Sequence, residues 1–262
     1  MKLLSIFAVF MLTFGGPAVA RIDSSHFSSF AFRQHPGAQL PLDAQFRDDS
    51  GRPITLANAI GGRASIIVLE YLRCQNLCSL VLTGATNALI RSNLTPGRQV
   101  NLVAISIDPR DTIGDAAKER AMYSARFPDP GKAKQGIRFL IGTPDEVARI
   151  ADRVGFPYQS DKQSGQFAHP AGFVVTTSKG RISRYILGLN PPAAGVSKAV
   201  LGAQQGEITP PAHPLLLLCF GYDPDAGTAT ALALRLVRMA SIAIVLACGA
   251  LVGFMSLRRR MT

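Results

Sequence analysis

The sequence predicts an α/β protein: a three-layer sandwich with a hairpin at its N-terminal end and a transmembrane helix at its C-terminal end. Three observations support this prediction. Apolar, β-branched runs of strand length alternate with helix-compatible stretches through the middle of the chain. An alternating pattern around a turn signal precedes the first buried run. A segment of 19 uncharged residues, Met239 to Leu257, lies near the C-terminus and has the length of a membrane span.

The predicted elements follow one another in strand–helix–strand–helix order. Residues 40–56 alternate around Asp48-Asp49-Ser50-Gly51, which predicts the N-terminal hairpin. Thr143-Pro144-Asp145-Glu146 combines a capping box with a proline at the first helical position, and so predicts the start of a helix that runs to Gly155. The other predicted strands are 64–72, 101–107, 136–141, 173–177 and 181–187, and the other predicted helices are 79–92, 113–127 and 192–204. A thioredoxin-like architecture fits this order.

Both ends of the chain have the pattern of segments outside a globular domain. Lys2, the apolar run Leu3 to Phe14 and the small residues Ala18-Val19-Ala20 predict a cleavable signal peptide over residues 1–20. The three arginines that follow the C-terminal apolar segment are expected to stay in the cytoplasm. The predicted localisation is therefore a bacterial-type inner membrane, crossed once, with the globular domain on the periplasmic side and the C-terminus in the cytoplasm.

These patterns divide the chain into six segments. We expect a signal peptide (1–20), a linker (21–37), a thioredoxin-like domain (38–206), a juxtamembrane strand and turn (207–234), a transmembrane helix (236–257) and a cytoplasmic tail (258–262). The apolar run inside the juxtamembrane segment, Leu215 to Tyr222, is too short to cross a bilayer.

The net charge of +11 does not indicate a nucleic-acid-binding protein. Lys2 and five arginines near the C-terminus account for six of the basic charges. Residues 21–234 carry 22 basic and 17 acidic groups, and the basic ones are scattered, without a run and without interleaved aromatic residues. We therefore expect no nucleic-acid partner.

Two cysteines, Cys74 and Cys78, lie where the first buried strand ends and the next helix is predicted to begin. A helix N-terminus offers free N–H groups and a positive dipole end, and both favour a thiolate. Residues at i and i+4 share a helix face at a separation of roughly 6 Å, which a disulfide tolerates. The pair can therefore be a redox dithiol or two soft ligands for a metal ion. Its spacing differs from the Cys-x-x-Cys of thioredoxins.

His169 is the candidate third ligand. It precedes Pro170 in a loop that leads into a predicted hairpin strand, and in a thioredoxin-like fold that loop faces the cysteine loop. We expect a cis bond at Pro170, like that of the proline facing the redox site of thioredoxins. Two thiolates and one imidazole suit copper in either oxidation state, with Cu(I) favoured by the sulfurs, or zinc if a fourth ligand is present. The alternative is a loop histidine that is satisfied locally.

The chain resembles the Sco/SenC family in three places. These are Tyr71-Leu72-Arg73-Cys74-Gln75-Asn76-Leu77-Cys78, the Ile107-Asp108-Pro109-Arg110-Asp111-Thr112 stretch after the second core strand, and His169 before the terminal hairpin. The resemblance extends over residues 40–201. It departs from the family at Gln75 and Ser79, where proline is common, and in an acidic stretch that is one residue shorter.

The resemblance implies a membrane-anchored copper protein that assists assembly of the binuclear copper centre of cytochrome c oxidase. It implies that Cys74, Cys78 and His169 bind a copper ion, Cu(I) or Cu(II), in a copper-binding domain over residues 38–206. The implied partners are the copper-centre subunit of the oxidase, other copper carriers or thiol reductants, and the membrane, through the C-terminal helix.

Two functions remain open at this stage. The first is a copper metallochaperone whose cysteine pair gates loading, because oxidation to a disulfide would eject the metal. The second is a thiol–disulfide oxidoreductase that keeps the copper-site cysteines of the oxidase reduced, with Cys74 as the attacking thiol. We interpret Asp108 and Asp111 as helix-capping residues. Cys219 is interpreted as a buried core thiol, and Cys248 as an inert residue of the transmembrane helix.

Overall fold

The computed structural model describes residues 31–73, 78–161, 166–211, 239–242, 244 and 249. Its strands are β1 (Gln45–Arg47), β2 (Pro53–Thr55), β3 (Ser65–Glu70), β4 (Asn101–Ser106), β5 (Ile137–Gly142), β6 (Gln159–Ser160), β7 (Phe167–Ala168), β8 (Gly172–Thr176) and β9 (Ile182–Leu187). Its helices are α1 (Leu56–Ile60), α2 (Cys78–Arg91), α3 (Ile113–Ser124), α4 (Pro130–Gly136), α5 (Pro144–Val154) and α6 (Ala193–Gln204).

Seven of these strands form one mixed sheet in the order β2-β1-β5-β4-β3-β8-β9. The central strands β3, β4 and β5 are parallel, and α2 and then α3 with α4 provide the crossovers between them. The hairpin β1–β2 adds to β5 in antiparallel orientation, and the hairpin β8–β9 adds to β3 in the same way. The carboxyl ends of the parallel strands therefore meet at one edge of the sheet.

Both faces of the sheet are covered, as β3 illustrates. Ile66 and Val68 belong to the apolar cluster under α2, α3 and α6, whereas Ile67 and Leu69 belong to the cluster under α1 and α5. Every residue of β3 is buried, and its four inner residues, 66–69, form a continuous apolar run instead of an alternating pattern. The three-layer α/β sandwich and its N-terminal hairpin are as predicted.

The prediction of a transmembrane helix as part of the fold is wrong. The predicted single-pass inner-membrane localisation, which depends on that helix, is wrong as well. A span needs about 20 consecutive apolar residues. Within the part of the chain that the structure describes, no helix is long and apolar enough to cross a membrane. In the segment 236–257, only 239–242, 244 and 249 are described, and they belong to a different unit from residues 31–211.

Other predicted segments lie outside the described residues. These are the signal peptide (1–20), the beginning of the linker, most of the juxtamembrane segment, including residues 215–222, and the cytoplasmic tail (258–262). Cys219 and Cys248 also lie outside the described residues. The predicted segment boundaries remain predictions. Four short elements, α1, α4, β6 and β7, have no counterpart in the sequence-based prediction. They contain two to seven residues, too few to show a periodic pattern.

Candidate functional site

The carboxyl ends of β3 and β4 bring two chain segments side by side. Glu70 and Ser106, the last residues of these strands, are register partners. The N–H of Ile107 then donates a hydrogen bond of 2.9 Å to the carbonyl of Glu70. The residues that lead into Cys74 therefore run beside the acidic segment that leads into α3.

The carboxylate of Asp111 connects these two segments. Its Oδ2 accepts hydrogen bonds from the N–H of Leu72 and from Oγ of Ser106, both at 2.7 Å, and its Oδ1 accepts one from Nε of Arg73 at 3.2 Å. The Asp111 side chain is fully buried, and that of Arg73 is half-exposed. A buried carboxylate is stabilised only when it is well hydrogen-bonded, and Asp111 meets this condition.

Neither predicted capping aspartate caps α3. The N-cap is Thr112, whose hydroxyl accepts the N–H of Asp115 while the Asp115 carboxylate accepts the N–H of Thr112. Asp108 instead binds the guanidinium of Arg110 through both carboxylate oxygens, at 2.8 Å for each closest contact. Burial raises the pKa of Asp108, but the bonds from Arg110 outweigh it and hold this pKa below its ordinary value. The sequence-based interpretation failed because Thr112, the next residue, already fills the N-cap position.

His169 lies in the loop between β7 and β8. Its Nδ1 is 2.9 Å from the carbonyl oxygen of Pro170, and the His169–Pro170 bond is trans, so the expected cis bond is wrong. A carbonyl oxygen only accepts, so Nδ1 carries a proton in this contact. Burial lowers the pKa of His169, although the bond to Pro170 opposes this shift. In the neutral ring Nε2 therefore carries the lone pair, which is the arrangement that metal-binding histidines use.

An aromatic cluster surrounds the imidazole. The His169 ring stacks on Phe156 at a centroid distance of 5.4 Å, and Tyr71 meets it edge-on at 6.1 Å. Phe167 packs on Tyr71 at 5.4 Å, and Tyr158 lies 6.4 Å from both phenylalanines. Sequence reasoning missed this cluster, although Phe167 two residues before His169 and Phe156-Pro157-Tyr158 after α5 are a signal for it.

Sequence reasoning also did not single out Glu70, the acidic residue that ends β3. It is 4% exposed. Burial raises the pKa of the Tyr123 hydroxyl to about 12. The hydrogen bond between Tyr123 and Thr83 opposes this shift, whereas the negative charge of Glu70 adds to it. The signal in the sequence is a single carboxylate within the apolar run 66–72.

The predicted site residues are brought together only in part within the described structure. Cys74 lies outside the described residues, and of Cys78 only the position as first residue of α2 is described. His169 contacts Tyr71, three residues before Cys74. Across the described residues, which leave out Cys74, no group of three or more His, Cys, Asp or Glu side chains could hold a metal ion.

The family model described as SCO1/SenC matches residues 35–201. No curated protein matches the sequence significantly. Among solved structures, a putative electron transfer protein from Aquifex aeolicus is similar, with 24% identity and a TM-score of 0.57 over 66% of this chain and 96% of that chain. BsSco, a Sco-family cytochrome c oxidase assembly protein with a disulfide switch, has 18% identity and a TM-score of 0.50 over 66% and 97%. Likeness at these identities establishes the fold.

Some of the solved structures that match this chain were determined with copper bound. An example is ScoI from Arabidopsis thaliana with copper bound, at 20% identity and a TM-score of 0.48 over 66% of this chain and 98% of that chain. The fold and the site together define a thioredoxin-like α/β protein in which Cys78 is the first residue of α2 and a half-buried histidine, His169, contacts Tyr71. The family model covers more than half of this chain. The chain therefore belongs to the SCO1/SenC family, as its sequence motifs predicted.

Proposed function

We propose that this protein is a copper metallochaperone for the binuclear copper centre of cytochrome c oxidase, with Cys74, Cys78 and His169 as the copper ligands. The observation that carries the proposal is the packing of the His169 ring against Tyr71, three residues before Cys74 in the sequence. Tyr71 and His169 lie 98 residues apart in the sequence, and their rings meet at the edge of the sheet where β3 ends. Membership of the SCO1/SenC family supports the same function.

The donor set suits copper as cargo. Thiolates are soft ligands that favour Cu(I), and imidazole binds both oxidation states. Burial keeps His169 neutral to lower pH than an exposed histidine, so the ring competes well with protons for the metal. Three ligands leave copper open to attack by a ligand of the receiving protein. Transfer then proceeds by exchange of one ligand at a time to a thiol-bearing partner, the copper-centre subunit of the oxidase.

The cysteine pair also gates loading. Oxidation joins the two sulfurs and releases two electrons and two protons. A disulfide on another carrier or partner accepts them and becomes two thiols. The resulting disulfide is no longer a pair of thiolate ligands, so copper is released. A thiol reductant reverses the step and restores the copper-binding form.

The test is anaerobic titration of the reduced full chain with Cu(I) in competition with a chromophoric Cu(I) chelator. We expect one equivalent to bind tightly, and the variants Cys74→Ser, Cys78→Ser and His169→Ala each to lose tight binding. His35→Ala is the matched control, because His35 is exposed, and Cys219→Ser controls for a third thiol. No uptake at one equivalent by the wild-type chain would refute the proposal.

A second candidate function is thiol–disulfide exchange with the copper-site cysteines of the oxidase. It is favoured by the start of α2 at Cys78, because a helix N-terminus lowers the pKa of a nearby thiol and raises its reactivity. His169→Ala separates the two functions. The variant should lose copper binding but retain exchange with a model disulfide if exchange is the main activity.

A further inference from the structure

We propose that one edge of the domain binds an anionic lipid surface through exposed basic side chains. It is the edge at which β3, β4 and β5 begin, opposite the one where β3 ends and Tyr71 meets His169. The contact is peripheral, involves no membrane-spanning helix and does not depend on the proposed function. We call this surface the basic edge and define it by seven exposed residues: Arg63, Arg91, Arg98, Lys132, Lys134, Lys179 and Arg181.

The fold gathers basic residues that are scattered in the sequence. Arg63 lies two residues before β3, Arg98 three residues before β4, and Lys134 three residues before β5. Ser65 and Asn101, the first residues of β3 and β4, are register partners. Because β3, β4 and β5 are parallel neighbours, the segments that lead into them lie side by side at one edge of the sheet.

The other basic residues reach the same edge by different routes. Arg91 ends α2, the crossover helix that returns the chain from the end of β3 to the start of β4. Lys132 lies in α4, directly before β5. Lys179 and Arg181 lie in the connection between β8 and β9, and Thr176 at the end of β8 pairs with the first residue of β3. The basic edge therefore extends from β5 across the sheet to the β8–β9 hairpin.

Most of this positive charge is not neutralised by neighbouring carboxylates. Within the described part of the chain, Lys132 is the one member of the set that forms an ion pair, with Asp129 at 3.0 Å. Two further acidic residues near this edge have other neighbours. Asp49 binds Arg120 of α3 at 2.6 Å, and the carboxylate of Glu207 lies against α6. The other six basic side chains of the set are available to an anionic partner.

The opposite edge of the sheet has a different charge balance. Where β4 ends, the buried carboxylates of Asp108 and Asp111 bind the guanidinium groups of Arg110 and Arg73. Basic groups there are thus paired, whereas those of the basic edge mostly are not. Such a charge distribution orients a molecule in the field of a charged surface. On an anionic bilayer, the basic edge faces the lipid and His169 lies on the side away from it.

Lipid headgroups suit this surface better than a protein or a nucleic acid. Protein interfaces are enriched in aromatic residues, and single-stranded nucleic acids stack their bases on aromatic rings. The segments that form the basic edge, 61–64, 91–100, 130–136 and 177–181, contain no aromatic residue, and their Leu94 is buried. Anionic headgroups need no such residues, because each lysine or arginine near the surface adds its own attraction.

The test measures the partition of the full chain onto lipid vesicles. One set contains phosphatidylcholine with phosphatidylglycerol as its anionic lipid, and the other contains phosphatidylcholine alone. The quantity compared is the ratio of the two partition coefficients, because neutral vesicles report all binding that does not depend on lipid charge. The double variant Arg98→Gln, Lys134→Gln removes two charges from the basic edge. The matched control Arg47→Gln, Lys118→Gln removes two exposed charges elsewhere, so both variants have the same net charge.

We expect a wild-type ratio far above one at about 0.1 M salt and near one at about 1 M salt, where the Debye length is only about 3 Å. Arg98→Gln, Lys134→Gln should lower the ratio at the lower salt concentration by about 25-fold, fivefold for each charge. The control should lower it by less than about threefold, the effect of net charge alone. Equal losses in the two variants, or a wild-type ratio of one, would overturn the inference. Tighter binding to duplex DNA or to polyglutamate than to anionic vesicles would also overturn it.

Hydrogen–deuterium exchange locates the contact and keeps the test decisive if the chain also binds neutral vesicles. On anionic vesicles, segments 61–64, 91–100, 130–136 and 177–181 should exchange more slowly than on neutral ones. Segment 106–112, at the opposite edge, should exchange equally on both. Equal protection of both edges, or protection of 106–112 alone, would reject the inference. Copper is absent from these measurements, so they separate this inference from the proposed function.

Discussion

The imidazole of His169 stacks on the phenyl ring of Phe156, with an angle of 27° between the planes. Phe156 follows the C-terminal end of α5 and is 3% exposed, so it presents a rigid apolar surface to the ring. Tyr71 closes a second side at nearly a right angle, 89°. These neighbours exclude water and favour the neutral imidazole. The proposed ligand is therefore fixed in orientation and kept in its neutral form, with one proton, on Nδ1.

Replacing Phe156 with leucine should raise the pKa of His169 towards its ordinary value. The smaller side chain admits water to one face of the ring, and water stabilises the charged imidazolium. The measurement is an NMR titration of the imidazole C–H signals in the copper-free protein. Phe127→Leu is the control, because Phe127 is also 3% exposed but belongs to the cluster on the other face of the sheet. An unchanged His169 titration in Phe156→Leu would contradict this explanation.

Asp48 organises the turn between β1 and β2. Its Oδ1 accepts the N–H groups of Ser50 and Arg52 at 2.9 and 3.0 Å, and its Oδ2 accepts the Arg52 guanidinium. Burial raises the pKa of Asp48, but the hydrogen bonds from Ser50 and Arg52 together outweigh it and lower this pKa from 3.8 to about 2. The folded state therefore binds this proton less readily than the unfolded state.

The consequence is an acid-dependent loss of stability. The depressed pKa of Asp48 contributes about 2 kcal/mol to the free energy of unfolding above pH 4, and this contribution disappears as the pH falls to about 2. Asp48→Asn should be less stable at pH 7 and should lose less stability between pH 4 and pH 2. Urea denaturation across this range measures the effect. Asp43→Asn is the control, with a carboxylate that is 75% exposed, and equal pH dependence in both variants would disprove the assignment.

Gly84 lets α2 approach the chain just before α6. A Cβ at this position would collide with the carbonyl oxygen of Leu189, so the backbone would have to move. Gly84→Ala should lower the free energy of unfolding by about 2–3 kcal/mol, despite the better helix propensity of alanine. Gly195→Ala in α6 is the control, because nothing lies within 4 Å of the added Cβ. Urea denaturation compares the two, and a Gly84→Ala chain as stable as the wild type would contradict the contact.

Long elements with a buried face were predictable. The pattern at Thr143 predicts α5, and in the structure Thr143 is the N-cap, its hydroxyl accepts the N–H of Glu146, and Gly155 ends the helix in the left-handed conformation. The continuous apolar run predicts β3, which is buried on both faces. In these cases the signal is local, because capping and burial act on residues a few positions apart.

Contacts between distant residues were not predictable. Leu72 and Arg73, which donate to the Asp111 carboxylate, lie 39 and 38 residues earlier in the chain. A carboxylate just before a helix has the same local pattern whether it caps that helix or binds another segment. Only the parallel pairing of β3 with β4 brings Leu72 and Arg73 within reach of Asp111.

The chemistry of the candidate ligands, the family and the main α/β elements follow from the sequence by itself, because they depend on residue types and short-range spacing. The tertiary structure decided which nitrogen of His169 donates its proton to a carbonyl and which aspartate binds Leu72 and Arg73. Those features depend on strands that pair across the sheet. Their positions are determined by the packing of the whole domain, which no local pattern encodes.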